Sequence, residues 1–165
     1  MNDNIFKTIQ NGFNFIFEAG PGSGKTTTLI RTLHQILMAP DGIIDPTSQK
    51  IACITFTNVA ANEIRERLGT NFDAVHVSTI HSFLWQLISS FQNELRCTLG
   101  IFNDRLGPSN KRYIPNLNLD SINIEYVDHY ADLSKGEISH DDLLELAFHM
   151  IDEYSTLRHL IKCQY

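Results

Sequence analysis

Apolar residues recur along this chain with two different spacings, and the switches between them mark out its elements. Phe13-Asn14-Phe15-Ile16-Phe17 is short, aromatic and β-prone, and it ends at a cluster of glycines, which predicts a strand. From Thr26 onward Leu29, Ile30, Leu33, Ile36 and Leu37 follow helical spacing, so a helix should start directly after the glycines. Ala39-Pro40-Asp41-Gly42 and Asp45-Pro46 punctuate a loop, after which Ile51 to Phe56 predicts a second strand. Thr57 or Asn58 can cap the next helix, whose face is Ala60, Ala61, Ile64 and Leu68. Val75, Val77 and Thr79 alternate with His76 and Ser78 as a third strand, and Phe83, Leu84, Leu87, Ile88, Phe91 and Leu95 make a third helical face.

The order β-α-β-α-β-α over residues 1–95 predicts an α/β fold, a parallel sheet joined by crossover helices. Residues 96–138 break that rhythm with Gly100, Gly107-Pro108, Pro115 and Gly136, and carry one strand pattern, Ile122 to Val127. They read as an insertion or small subdomain. Ser139-His140-Asp141-Asp142 fits a capping box and opens a helix carrying Leu143, Leu144, Ala147, Met150 and Ile151. A last helix begins near Ser155, so that residues 139–165 lead back toward the core.

Composition narrows the class. With 165 residues, 42% apolar and 19% charged, the chain is of ordinary globular type, which excludes collagen-like and low-complexity readings. No apolar run approaches the roughly 18 residues of a membrane span, and Met1-Asn2-Asp3-Asn4 is not a basic leader, so a cytoplasmic protein with no membrane partner is expected. Cys53, Cys97 and Cys163 are odd in number and far apart, which predicts reduced thiols. The net charge of −6 is uneven: residues 1–119 carry +1 and residues 120–165 carry −7. Any nucleic-acid contact must then be local rather than a product of bulk charge.

The chemistry concentrates at Ala19-Gly20-Pro21-Gly22-Ser23-Gly24-Lys25-Thr26, between a predicted strand and a predicted helix. Glycines let the backbone curl so that successive N–H groups point inward, and the helix start adds positive partial charge. In such a loop Lys25 pairs with the β and γ phosphates of a nucleotide and the Thr26 hydroxyl goes to Mg²⁺. The nucleotide-binding stretch is Ala19, Gly20, Pro21, Gly22, Ser23, Gly24, Lys25, Thr26 and Thr27, with Lys25 and Thr26 the catalytic pair. Three glycines at fixed positions arise by chance about once in three thousand sites. Hydrolysis also needs an acid at the end of a second apolar strand. The internal candidate is Asp128 after Ile122-Asn123-Ile124-Glu125-Tyr126-Val127, which alternates as a strand buried on both faces would not. Asp128 is thus either the Mg²⁺ carboxylate or an ordinary exposed acid.

Three blocks together resemble the UvrD/Rep-like superfamily 1 DNA helicases. The glycine loop is similar to that family's first motif, including its Ala start. Thr55-Phe56-Thr57-Asn58-Val59-Ala60-Ala61-Asn62-Glu63 resembles its Thr-Phe-Thr-Asn-Lys-Ala-Ala block, with Val59 in place of Lys. Ser78-Thr79-Ile80-His81-Ser82-Phe83 resembles its Gly-Thr-Phe-His-Ser-Phe block, and Ser139 to Leu144 its block ahead of the Walker B strand. The resemblance implies a P-loop (RecA-like) sheet that is incomplete, an N-terminal fragment ending at Tyr165 just before the Walker B acids. The catalytic Glu, the arginine finger and the remaining helicase domains would be partners outside this chain. The family's adenine-contacting Gln is not matched: Gln10 lies closer to the loop, and Asn4 sits at about the corresponding distance.

Phe56 ends a strand at the sheet edge where open α/β folds bind ligands, so its ring either stacks on an unpaired base or packs in the core. Thr57 and Asn58 can hydrogen-bond a sugar-phosphate backbone or cap the following helix. Thr79, His81 and Ser82 occupy the same edge after the third strand, where a lone His is either structural or functional, and Trp85 is expected in the core. The resemblance points to Phe56, Thr57, Asn58, Thr79, His81 and Ser82 as contacts to single-stranded DNA. The reading favoured is the ATP-binding part of a DNA-translocating motor using ATP and Mg²⁺. A compact P-loop nucleotide kinase using Asp128 and a non-catalytic nucleotide-binding module are the alternatives.

Overall fold

Hydroxyl caps and glycines stand where the hydrophobic pattern changes period, and a computed structural model describes the result for residues 2–39, 43–45, 47–69 and 73–165. The Pro40-Asp41-Gly42 turn and Pro46 lie outside the described residues. The chain divides into two compact units, residues 1–78 with 163–165, and residues 79–162.

In the first unit a helix not expected from the sequence, α1 (Asn2–Gln10), packs against α2 (Lys25–Leu37). Strand β1 (Ile51–Thr55) leads through α3 (Asn58–Leu68) to β2 (Val75–Thr79), and the two strands pair in one sheet. Ile51 N–H donates to Ala74 O at 2.7 Å and the Thr55 hydroxyl reaches toward Ser78 O at 3.5 Å, so the register advances in the same sense on both and the pair is parallel. Ile30 and Leu33 of α2, Cys53 of β1, Ala61, Ile64 and Leu68 of α3, and Val77 of β2 form the core. The Thr57 hydroxyl accepts from Ala60 N–H at 3.2 Å and starts α3, which ends at Gly69 with φ +79°.

The strand expected at Phe13–Phe17 does not form. Ladder hydrogen bonds need a neighbour, and among the described residues β1 and β2 pair only with each other. The block is left in solvent, with Phe13 67% and Ile16 86% exposed. Its β-propensity reflects fit to a half-buried sheet surface, and among the described residues no strand pairs with it.

In the second unit the third helical face is two helices, α4 (Ile80–Ile88) and α5 (Gln92–Leu106), broken at Ser89-Ser90-Phe91. Strand β3 (Glu125–Tyr126) pairs in parallel with β4 (Glu137–Ile138), Glu125 opposite Glu137 and Tyr126 opposite Ile138. Helices α6 (His140–Glu153) and α7 (Ser155–Gln164) follow, and α6 packs on α4 and α5 over Leu95, Leu99, Leu143, Leu146 and Met150. The strand expected over Ile122–Val127 shrinks to two residues because side chains of α5 take its backbone groups. Gln92 receives Ile124 N–H at 2.8 Å and donates to Ile124 O at 3.2 Å, while Arg96 donates to Ile122 O at 3.0 Å. Gly136, at φ +78°, lets this segment close in: a Cβ there would sit 2.5 Å from Ile122 Cγ2. Ser139 and Asp142 make the expected capping box. Leu144, expected on the buried face of α6, is instead 39% exposed, since Leu143, Leu146, Ala147 and Met150 take the inward stripe. All three cysteines are free thiols, and no helix among the described residues is long and apolar enough to cross a membrane.

Candidate functional site

The glycine loop keeps the shape its sequence demands. Gly22 and Gly24 take φ of +74° and +82°, left-handed values that any Cβ would strain. Ser23 closes the turn onto Gly20 O through its hydroxyl at 2.7 Å and its N–H at 3.3 Å. Helix α2 then starts from Gly24 with no side chain capping it, and the first intrahelical bond runs from Thr28 N–H to Gly24 O at 2.8 Å. The N–H groups of the first turn are therefore available to an anion. Lys25 folds back over the loop, its ammonium donating to Ala19 O at 2.6 Å and Gly20 O at 2.8 Å. An ammonium has three N–H donors, so one is left for an incoming oxygen.

A concavity of about 280 Å³ is lined by Gly22, Ser23, Gly24, Lys25, Thr26, Thr27 and Arg67. Ala19 and Gly20 hold the lysine through their carbonyls, and neither they nor Pro21 line the hollow. Uncapped N–H donors, one ammonium and a half-buried Thr26 hydroxyl suit a polyphosphate, and Thr26 supplies the oxygen a hard divalent cation takes. Arg67 carries no motif signal in the sequence. It sits on α3 next to buried Leu68, and only the packing of α3 against α2 turns it toward the loop. Its guanidinium is held 2.8 Å from Glu63, one turn back on the same helix.

None of the lining residues is acidic. Asp128 is an exposed residue of the second unit, and Gln10 is the exposed last residue of α1. Among the described residues no group of three acidic, histidine or cysteine side chains is arranged to hold a metal ion.

Phe56, Thr57 and Asn58 lie together in the first unit, exposed, at the carboxyl end of β1. Phe56 is 87% exposed, which removes the core alternative for its ring, and Val59 is 79% exposed beside it. Thr57 is the cap of α3, and its carbonyl also accepts from the Thr55 hydroxyl at 3.0 Å. Thr79, His81 and Ser82 fall in the second unit. Thr79 is buried and caps α4, accepting from Ser82 N–H at 3.2 Å and donating to the Ser82 hydroxyl at 3.0 Å. His81 is half-buried. Burial pushes its imidazole below the ordinary value, His140 beside it pushes the same way, and Asp141 opposes them. Trp85 packs against the core of its unit while remaining partly exposed.

Comparison with known proteins follows the same lines. The family described as UvrD/REP helicase N-terminal domain matches residues 1–163. The chain is 46% identical over 91 residues to the Gabija protein GajB of Bacillus cereus, a stretch covering 55% of this chain and 13% of that protein. It is 32% identical to the ATP-dependent DNA helicase UvrD1 of Mycobacterium bovis over 88% of this chain and 21% of the relative. A second GajB protein, from another strain of Bacillus cereus, is 38% identical over 46% of this chain and 14% of the relative. The chain thus spans about a fifth or less of the length of these relatives. No solved structure gives a significant match.

Proposed function

The chain belongs to the UvrD/REP helicase N-terminal domain family, and from that premise we propose that it is the ATP-binding part of a motor that moves along single-stranded DNA. The observation that carries this is the glycine loop, whose uncapped helix start, folded lysine and Thr26 hydroxyl face one hollow. In this reading the N–H groups of α2's first turn bind the phosphate oxygens, and Lys25 adds its third N–H to the terminal phosphates. Arg67 exchanges its Glu63 partner for the nucleotide. Mg²⁺, held by Thr26, would neutralise charge developing on the transferred phosphate. Because the lining holds no carboxylate, the acids that complete the metal shell and orient water come from beyond it, together with the other helicase domains, so this part is catalytically incomplete by itself. The exposed Phe56 ring takes an unpaired base, with Thr57 and Asn58 along the backbone. The inserted segment in residues 96–138 and a cytoplasmic location belong to the same proposal.

The deciding experiment is calorimetric titration of the 165-residue chain and of Lys25→Ala with ATP and Mg²⁺. Losing a charge-assisted contact of about 1.5 to 3 kcal/mol should weaken binding roughly tenfold to a hundredfold. Lys25 is exposed and its two acceptors are loop carbonyls that water can serve, so the variant should melt with the wild type. Equal affinity in the two proteins would mean that the loop is not the nucleotide site.

A further inference from the structure

Helix α6 is apolar on two sides. Its inward stripe of Leu143, Leu146, Ala147 and Met150 is buried where the helix packs on α4 and α5. A second line, Leu144, Phe148 and Ile151, stands at i, i+4 and i+7 and so runs along one further side of the same helix. Phe148 is 68% and Leu144 39% exposed, while Ile151 is half-buried and roots the line in the core of the unit. A single exposed leucine is ordinary on a protein surface. A line of three on a helix that already supplies the core from its other side is surplus to folding, and it has the spacing with which helices pack on one another.

The charges beside this line decide what covers it. Asp141, Glu145 and Asp152 are exposed along its flank and Glu153 follows them, whereas α6 carries no lysine or arginine. The fifth acid of the helix, Asp142, is buried on Arg112 and takes no part. The carboxyl end of the helix adds partial negative charge of its own. Two guanidiniums approach from neighbouring elements and both are engaged: Arg158 donates to the Ile151 and Asp152 carbonyls, and Arg105 of α5 donates to His149 Nε2, which also lies 3.9 Å from Glu145. Between the ends of α5 and α6 is a hollow of about 280 Å³, lined by Ile101, Phe102, Arg105, His149, Asp152 and Tyr154 among others. A face with this balance repels phosphate, so neither DNA nor an anionic lipid surface is its occupant. The same face of a second copy would set acid against acid. A helix with apolar residues on one side and lysines or arginines beside them satisfies the apolar line and the acidic line together.

We propose that the outer face of α6 is a docking surface for a basic amphipathic helix of a partner protein. The partner's apolar residues lie over Leu144, Phe148 and Ile151, its cations reach Asp141, Glu145 and Asp152, and the hollow takes one anchoring side chain. The inference goes beyond the motor reading and uses none of the nucleotide-loop or Phe56 residues.

The test uses the full 165-residue chain and a fluorescein-labelled peptide of about 18 residues, long enough as a helix to span α6, with leucines at i, i+3, i+4 and i+7 and lysines flanking them. Its controls are the same residues in an order that scatters the leucines, and a version with glutamate for lysine. Anisotropy should show the basic amphipathic peptide binding in the micromolar range, with both controls roughly tenfold weaker or worse. Phe148→Ala should weaken binding roughly fivefold to thirtyfold without changing its salt dependence, because an apolar anchor and no charge is lost. Its melting temperature should stay near that of the wild type, since the ring is mostly in solvent. Glu145→Lys with Asp152→Lys should weaken binding roughly tenfold or more and flatten the salt dependence. Both variants should bind ATP as the wild type does, which separates a failure here from a failure of the nucleotide site. Equal binding of the scattered peptide, normal binding by Phe148→Ala, or no binding up to roughly millimolar peptide would overturn the inference. Sedimentation showing that the chain pairs with itself, with the pairing lost in Phe148→Ala, would overturn it too, by making a second copy the occupant.

Discussion

Asp142 offers the sharpest test of how the second unit is held together. Its side chain is 2% exposed, yet it carries a carboxylate that accepts four hydrogen bonds. Arg112 donates to Oδ1 at 2.9 Å and to Oδ2 at 2.6 Å, and Ser139 donates to Oδ2 through its N–H at 2.9 Å and its hydroxyl at 2.7 Å. One residue thereby caps α6 and ties the loop bearing Arg112 to it. Asp142→Asn keeps the shape and turns an NH₂ toward donors, leaving the guanidinium without its counter-charge. Breaking a buried pair costs about 3 to 5 kcal/mol, and since Arg112 keeps 32% of its side chain exposed the low end applies, about 3 kcal/mol. For a chain of this size that lowers the melting temperature by about 6 to 12 °C, read by calorimetry at neutral pH. Burial alone would raise the Asp142 carboxyl, but the hydrogen bonds from Arg112 and Ser139 and the Arg112 charge outweigh it and hold it below its ordinary 3.8. Its folded value being depressed, the stabilisation is fully present above the unfolded value and is lost as the pH falls through the folded one. Wild type and variant should therefore converge in strong acid. A melting shift under about 2 °C at neutral pH, or a gap that persists in strong acid, would show that the carboxylate is not what ties these elements together.

Two further outcomes follow from the first unit. Phe56→Ala removes a ring that buries almost nothing, so the melting temperature should move by less than about 2 °C while affinity for single-stranded DNA falls roughly five- to a hundredfold and ATP affinity is unchanged; a destabilised variant with normal DNA binding would defeat the stacking role. Arg67→Ala should weaken ATP binding by roughly three- to tenfold in the same calorimetry with little change in stability, because its exposed pair with Glu63 is worth only tenths of a kcal/mol; unchanged affinity would remove Arg67 from the site.

What could be read from the sequence was whatever is decided within one turn of helix or one strand. Thr57 and Ser139 cap because a hydroxyl before a helical face has donors to satisfy at short range, and Gly22 and Gly24 bend the loop because only glycine takes those angles easily. What was not legible depends on elements meeting. Phe13–Phe17 has the composition of a strand, and composition says nothing about whether a ladder partner stands beside it. Ile122–Ile124 has the alternation of a strand, but its backbone is taken by Gln92 and Arg96, which lie on a helix far earlier in the chain. Arg67 has the sequence context of an ordinary helical ion pair, and its place beside the loop follows only from α3 lying against α2.

The same local device also separates binding from scaffolding in this chain. At α3, α4 and α6 a side-chain hydroxyl takes a first-turn N–H, which fixes the helix and leaves that end fewer free donors. At α2 the residue in the capping position is Gly24, which has no side chain to offer, and the first turn carries no acid. Helix α5 also lacks a side-chain cap, but Glu94 in its first turn would repel an anion. Of these five helix starts, α2 alone combines uncapped donors, no acid and a lysine held at the mouth, and it is the one that opens onto the hollow that Arg67 shares. A polyphosphate site at α2 is therefore favoured by how donors are spent across the fold as well as by the glycine spacing.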